Sequence, residues 1–189
     1  MKEEKAIVQR PKITRRVRNL VLGARQPDPL TLVVFLMNLF FGCINLFWSL
    51  LSYLILAKKS LITEIKDIDI DAIIAKRGQE LGFMGDDFLH RLMTTQAIGI
   101  VVWSIFLLGV LMLFRMNRNF AFILLGTLFF YIGMLVFYIS YGYFKSDVTL
   151  FDKIGFIVIF TSSTVHYFLL RKEQTGGTMN FFHEEEAIE

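Results

Sequence analysis

Ser162, Ser163 and His166 fall within one helical turn, so two hydroxyls and an imidazole share a helix face. Those are the residue types of a nucleophile and its base. Acyl transfer also needs an acid to orient the histidine and donors for an oxyanion, and the neighbouring sequence offers neither. A histidine that hydrogen-bonds across a helix–helix contact is the simpler reading of His166. No hydrolase elbow, P-loop, HExxH or CxxC occurs. The expectation is a protein that is not an enzyme, with no catalytic residues.

Metal and cofactor chemistry fare no better. Asp67, Asp69 and Asp71 open like a calcium loop, but the sixth position is Ala72 and the twelfth is Gly78, where that loop needs Gly and a bidentate Glu. His90 and His166 suggest a haem pair, yet the spans described below put them most of a bilayer apart. His183 with Glu184, Glu185 and Glu186 reads as a solvated acidic tail. No metal and no cofactor are expected. The single cysteine, Cys43, allows no intrachain disulfide.

The remaining polar groups are amides: Asn38, Asn45 and Gln96. They line a solute path or hold helices together. Spacing favours the second. Thr31, Asn38, Asn45 and Ser52 recur every seven residues, and Gly42 and Ser49 repeat at the same period. A period of about 3.5 residues per turn makes a narrow stripe that faces a partner helix. Thr95, Val102 and Gly109, with Gly99, repeat likewise, as do Asn119, Gly126, Gly133 and Ser140. The candidate intramembrane polar or packing positions are therefore Asn38, Gly42, Asn45, Ser49, Gln96, Gly126, Gly133, Ser162 and His166.

The elements that carry these residues are long and apolar. The chain of 189 residues is 54% hydrophobic, with mean hydropathy +0.54. Leu30 to Ala57 holds no charge, and a bilayer needs roughly 20 such residues. At about 1.5 Å per residue this stretch reaches roughly 42 Å, so it tilts or projects. Further spans are expected at about 92–114, 120–144 and 148–170, unbroken by proline and without a charge at mid-span. That disfavours proton relays and most ion-coupled transport. The predicted fold is an all-α membrane protein: a left-handed antiparallel bundle of four transmembrane helices, residues 29–171.

Residues 1–28 form a basic leader with eight Lys/Arg and three Asp/Glu. Pro11 starts and Gly23 ends a predicted amphipathic surface helix that presents Ile13, Val17, Leu20 and Val21 on one face. Residues 58–91 form a loop with six Lys/Arg and seven Asp/Glu. Within it a short helix is expected from Asp69 to Arg77, stopped by Gly78, with Asp86 or Asp87 capping the next. Residues 172–189 make an acidic tail. Basic residues favour the side of both termini, twelve against eight. Both termini are expected in the cytoplasm, in a plasma or inner membrane.

The expected partners are the lipid bilayer and other membrane proteins or copies of the chain itself, with no nucleic acid. Small-residue stripes without site chemistry point to an accessory subunit of a membrane complex. A small oligomeric transporter or channel is the alternative.

Overall fold

The computed structural model describes residues 28–60, 64, 69–117 and 119–174. The predicted surface helix of the leader and the end of the acidic tail lie outside these residues. Among the described residues all regular structure is helical. The helices are α1 (Pro29–Ala57), α2 (Ile70–Glu80), α3 (Asp87–Phe114), α4 (Phe120–Gly133), α5 (Tyr141–Ser146) and α6 (Leu150–Gln174), with a π-helical segment, Met134–Ile139, continuing α4. Among the described residues four stretches are long and apolar enough to cross a membrane: Pro29–Ala57, Asp87–Phe114, Phe120–Ile139 and Leu150–Arg171.

Each start has a local cause. Asp28 caps α1 by accepting from the Thr31 N–H at 3.2 Å, and Pro29 supplies the fixed φ of the first turn. Asp69 caps α2 by accepting from the Ala72 N–H at 3.0 Å. At α6 the caps are reciprocal: the Asp152 N–H donates to Thr149 Oγ1 at 3.1 Å, and that hydroxyl donates to the Asp152 carboxylate at 2.6 Å. By contrast, Asp86 stands before α3 without a side-chain cap bond.

Two predicted boundaries need correction. Helix α2 runs on through Gly78 to Glu80. Gly78 serves contact there, because a Cβ at that position would lie 2.9 Å from the Phe88 Cβ at the start of α3. The turn comes later, where Gly82 and Gly85 take φ of +85° and +56°. The third span is not one helix to residue 144. It passes into π geometry at Met134, with the Ser140 N–H bonded to the Leu135 carbonyl at 3.3 Å, and breaks at Ser140, which is extended. Ser140 then caps α5 by accepting from the Tyr143 N–H at 3.0 Å. Arg91 donates to the Tyr138 carbonyl at 2.7 Å, so a carbonyl beside the break is satisfied from α3.

Helix α1 packs on α3, α3 on α4, α4 on α6 and α6 on α1, closing a ring, while α2 lies on α3. At the centre Trp103 meets Phe106 and Tyr131 edge-on, each with centroids 5.1 Å apart. Phe106, Val110 and Leu113 of α3, Leu124 of α4 and Ile159 of α6 are fully enclosed. The outer surface stays apolar, with Phe122, Phe137, Ile157 and Leu108 turned outward. That is the arrangement lipid requires and water penalises.

Candidate functional site

Helices α1 and α6 meet along a ladder of polar side chains. Asn38, with no exposed surface, donates through Nδ2 to the Val34 carbonyl at 2.8 Å and to Ser162 Oγ at 3.2 Å. Its Oδ1 accepts from Ser163 Oγ at 3.3 Å. Two turns toward the N-terminus, Thr31 Oγ1 lies 3.1 Å from His166 Nε2 and also bonds the Asp28 carboxylate. A carboxylate only accepts, so the threonine spends its one proton on Asp28, and His166 donates from Nε2. The other ring nitrogen, Nδ1, is then an acceptor, without a partner among the described residues.

This is not the order of a nucleophilic triad, in which the base stands between the acid and the hydroxyl. Here the hydroxyl stands in the middle, and Thr31 is wholly buried. The arrangement is a helix cap extended to a neighbouring helix. It ties the first turn of α1 to the last third of α6.

Most of the other predicted positions gather on the inward faces. Gly42, Asn45, Ser49 and Gln96 are buried. A Cβ at Gly42 would lie 2.9 Å from the Phe106 ring and from Leu107, and glycine is what lets α1 approach α3 so closely. Gly99 serves the same contact beside Ser49, 2.9 Å from its Oγ. Gly126 and Gly133 do not join them. Nothing lies within 4 Å of where either Cβ would be, and Gly126 is exposed. The inward face of this span instead carries Phe120, Leu124, Leu128, Tyr131 and Leu135.

Toward the opposite end, beside the α5–α6 turn, the ring opens into a cavity of about 480 Å³. Asn45, Ser49 and Ser52 of α1 and Gln96 of α3 line one side. Tyr131, Tyr143, Phe151 and Phe156 form aromatic walls, with Trp48 at the edge, and Asp147 and Asp152 supply carboxylates. Among the described residues no Lys, Arg or His borders it. The break at Ser140 positions this wall, because it restarts the chain as α5 with Tyr143 against the cavity. Burial, the largest influence, together with the nearby Tyr131, Asp147 and Asp152, pushes the Tyr143 hydroxyl well above its ordinary range, so it stays neutral.

Asp147 is already engaged. Arg77 of α2 grips it with a two-pronged contact, Nε to Oδ1 at 2.9 Å and the second nitrogen to Oδ2 at 2.7 Å, and also reaches Ser146 at 2.6 Å. Burial pushes the Asp147 carboxyl up, but the hydrogen bonds from Arg77 and Ser146 and the Arg77 charge outweigh it and hold the carboxyl below the usual carboxylate range. The clamp therefore stabilises fully above the ordinary value of 3.8 and is lost as pH falls through the lower folded value. Thermal unfolding in detergent, followed by circular dichroism from pH 7 to pH 2, is expected to show a fall in Tm below about pH 4. Asp147→Asn is expected to start lower at pH 7 and to lack that acid-side component.

Sequence reading missed Asp28, Asp147, Asp152, Tyr131 and Tyr143 as site residues. Asp28 and Asp152 carried a signal, since Asp-Pro-x-Thr and Thr-x-x-Asp are helix-start patterns. The other three meet across the fold and carried none. No group of three or more His, Cys, Asp or Glu able to hold a metal occurs among the described residues. No protein-family model, curated protein or solved structure matches the chain.

Proposed function

We propose that the chain is an integral membrane protein of four antiparallel spans, with both termini in the cytoplasm of a plasma or inner membrane. In this reading it works as a non-catalytic accessory subunit of a larger membrane assembly. The observation that carries the reading is the α1–α6 ladder. The groups best suited to chemistry, Ser162, Ser163 and His166, are engaged in holding two helices together through Asn38 and Thr31. The close approaches at Gly42 and Gly99 support the same emphasis on packing. Outward faces rich in Phe and Leu suit lipid or another membrane helix.

Purification in a mild detergent tests the proposal. Other membrane proteins are expected to co-purify in fixed stoichiometry and to separate when the detergent is made harsher. A chain that is isolated alone, or only with copies of itself, contradicts the subunit reading.

A second reading, a small oligomeric transporter, is favoured by one observation, the polar cavity beside the broken third span. Solute leak from liposomes that contain only this protein would support it.

A further inference from the structure

We propose that the cavity between α1, α3, α4 and α6 is a binding site for a small organic ammonium ion that also carries a hydrogen-bonding group. Among the lining residues the ionisable side chains are two carboxylates and two tyrosines. Asp147 is paired with Arg77, which also pairs with Glu80. Asp152 has no ion-pair partner among the described residues; its carboxylate accepts from the Thr149 hydroxyl, and both residues line the cavity. The cavity therefore carries net negative charge, that of Asp152 being unpaired among the described residues. Such a charge favours a cation.

The walls then choose among cations. A metal ion needs several oxygen ligands converging on one point, and no such cluster is present among the described residues. Tyr131, Tyr143, Phe151 and Phe156 instead offer aromatic surface, with Trp48 at the rim. Aromatic faces attract alkylated ammonium groups, whose charge is spread over C–H bonds and whose hydration is weak.

The third observation is independent of charge. Gln96 is 8% exposed, borders the cavity and has no hydrogen-bond partner among the described residues. Asn45, 7% exposed, donates to the Phe41 carbonyl, and its Oδ1 has no partner among them. Amide groups without a protein partner that border a cavity are satisfied by water or by a ligand. Facing a cavity, they mark the place for a hydroxyl or similar polar group on the ligand. A cation at Asp152 and a hydroxyl at Gln96 and Asn45 describe an amino alcohol, either free or as a lipid headgroup. This inference goes beyond the subunit reading, and either can fail alone.

The test uses the full chain in detergent and in nanodiscs. Choline chloride and ethanolamine hydrochloride are titrated against sodium chloride at equal ionic strength, with Tm and tryptophan emission as readouts. A saturable rise in Tm with a change in emission is expected for at least one amine and not for sodium. Asp152→Asn is expected to weaken the apparent affinity at least tenfold. Gln96→Leu, which keeps the charge, is expected to weaken choline more than tetramethylammonium, which has no hydroxyl. That second variant also serves if Asp152→Asn does not fold.

Nanodiscs distinguish the source of the amine. A Tm raised by phosphatidylethanolamine over phosphatidylglycerol, with free amines inert, assigns the site to headgroups. The reverse assigns it to soluble amines. No saturable response to any amine in either medium overturns the proposal, as does an equal response to sodium chloride or an unchanged response in both variants.

Discussion

Gly42→Leu is expected to cost about 3 kcal/mol of stability, while Gly126→Leu costs less than about 0.5 kcal/mol. In a chain of this size the first loss lowers Tm by roughly 6–12 °C. The two glycines look alike in the sequence, each in a seven-residue repeat of small residues. Their surroundings decide the difference. At Gly42 the first added carbon already meets the Phe106 ring and Leu107 at 2.9 Å. Leu107 is a flexible side chain that can move, but Phe106 is fully enclosed and held by Trp103. Leucine there must push α1 off α3, which is the most extensive helix contact in the bundle. At Gly126 there is open space, and leucine adds apolar surface to a face already lined by Phe122 and Phe129. Thermal unfolding of both variants in one detergent measures the contrast. Equal losses would mean that Gly126 is packed in the protein as purified.

Asn38→Leu is expected to cost about 1–2 kcal/mol. The substitution keeps the heavy-atom count and the branching at Cγ while removing every side-chain hydrogen bond, so the loss contains both the lost bonds and the bulk of two methyl groups. Ser162 retains the Ile159 carbonyl at 3.3 Å as an acceptor, but the Ser163 hydroxyl loses Asn38 Oδ1. A double-mutant cycle with Ser163→Ala isolates that bond, with an expected coupling of about 0.6–1.5 kcal/mol. Asn45→Leu is the comparison. The hydrogen bond of Asn45 goes to Phe41 in its own helix and its other face borders the cavity, so a smaller loss is expected. If Asn38→Leu is neutral and shows no coupling, the ladder does not hold α6 to α1.

These two contrasts show what was readable in the residues. The apolar spans and the buried stripe of α1 were legible because polar and small residues stand out against a run of Leu and Phe. That same signal misled at Gly126 and Gly133. When lipid and protein interior are equally apolar, the pattern of small residues marks a stripe and does not say which way it faces. The inward face of α4 is defined by the shapes of Phe120, Leu124 and Leu128, for which periodicity offers no contrast. The break at Ser140 was invisible because it has neither Pro nor Gly. It rests on a serine cap and on Arg91, which lies on another helix. The cavity could not be foreseen, since Asn45, Gln96, Tyr131 and Asp152 come from four helices. What remained readable was local: Asp28 before Pro29 announces a helix start, although its link through Thr31 to His166 needs the fold.

The proposed topology is a four-span membrane bundle with both termini on the cytoplasmic side. Cysteine accessibility in intact cells tests it most directly. With Cys43 replaced by Ser, single cysteines are placed at Ser60, beyond the end of α1, and at Thr178 in the tail. A membrane-impermeant maleimide is expected to label the Ser60→Cys protein from outside and the Thr178→Cys protein only after the cells are opened. Labelling of both from outside, or of Thr178→Cys alone, would contradict the topology, and release of the unlabelled protein from membranes by alkaline carbonate would contradict the spans themselves.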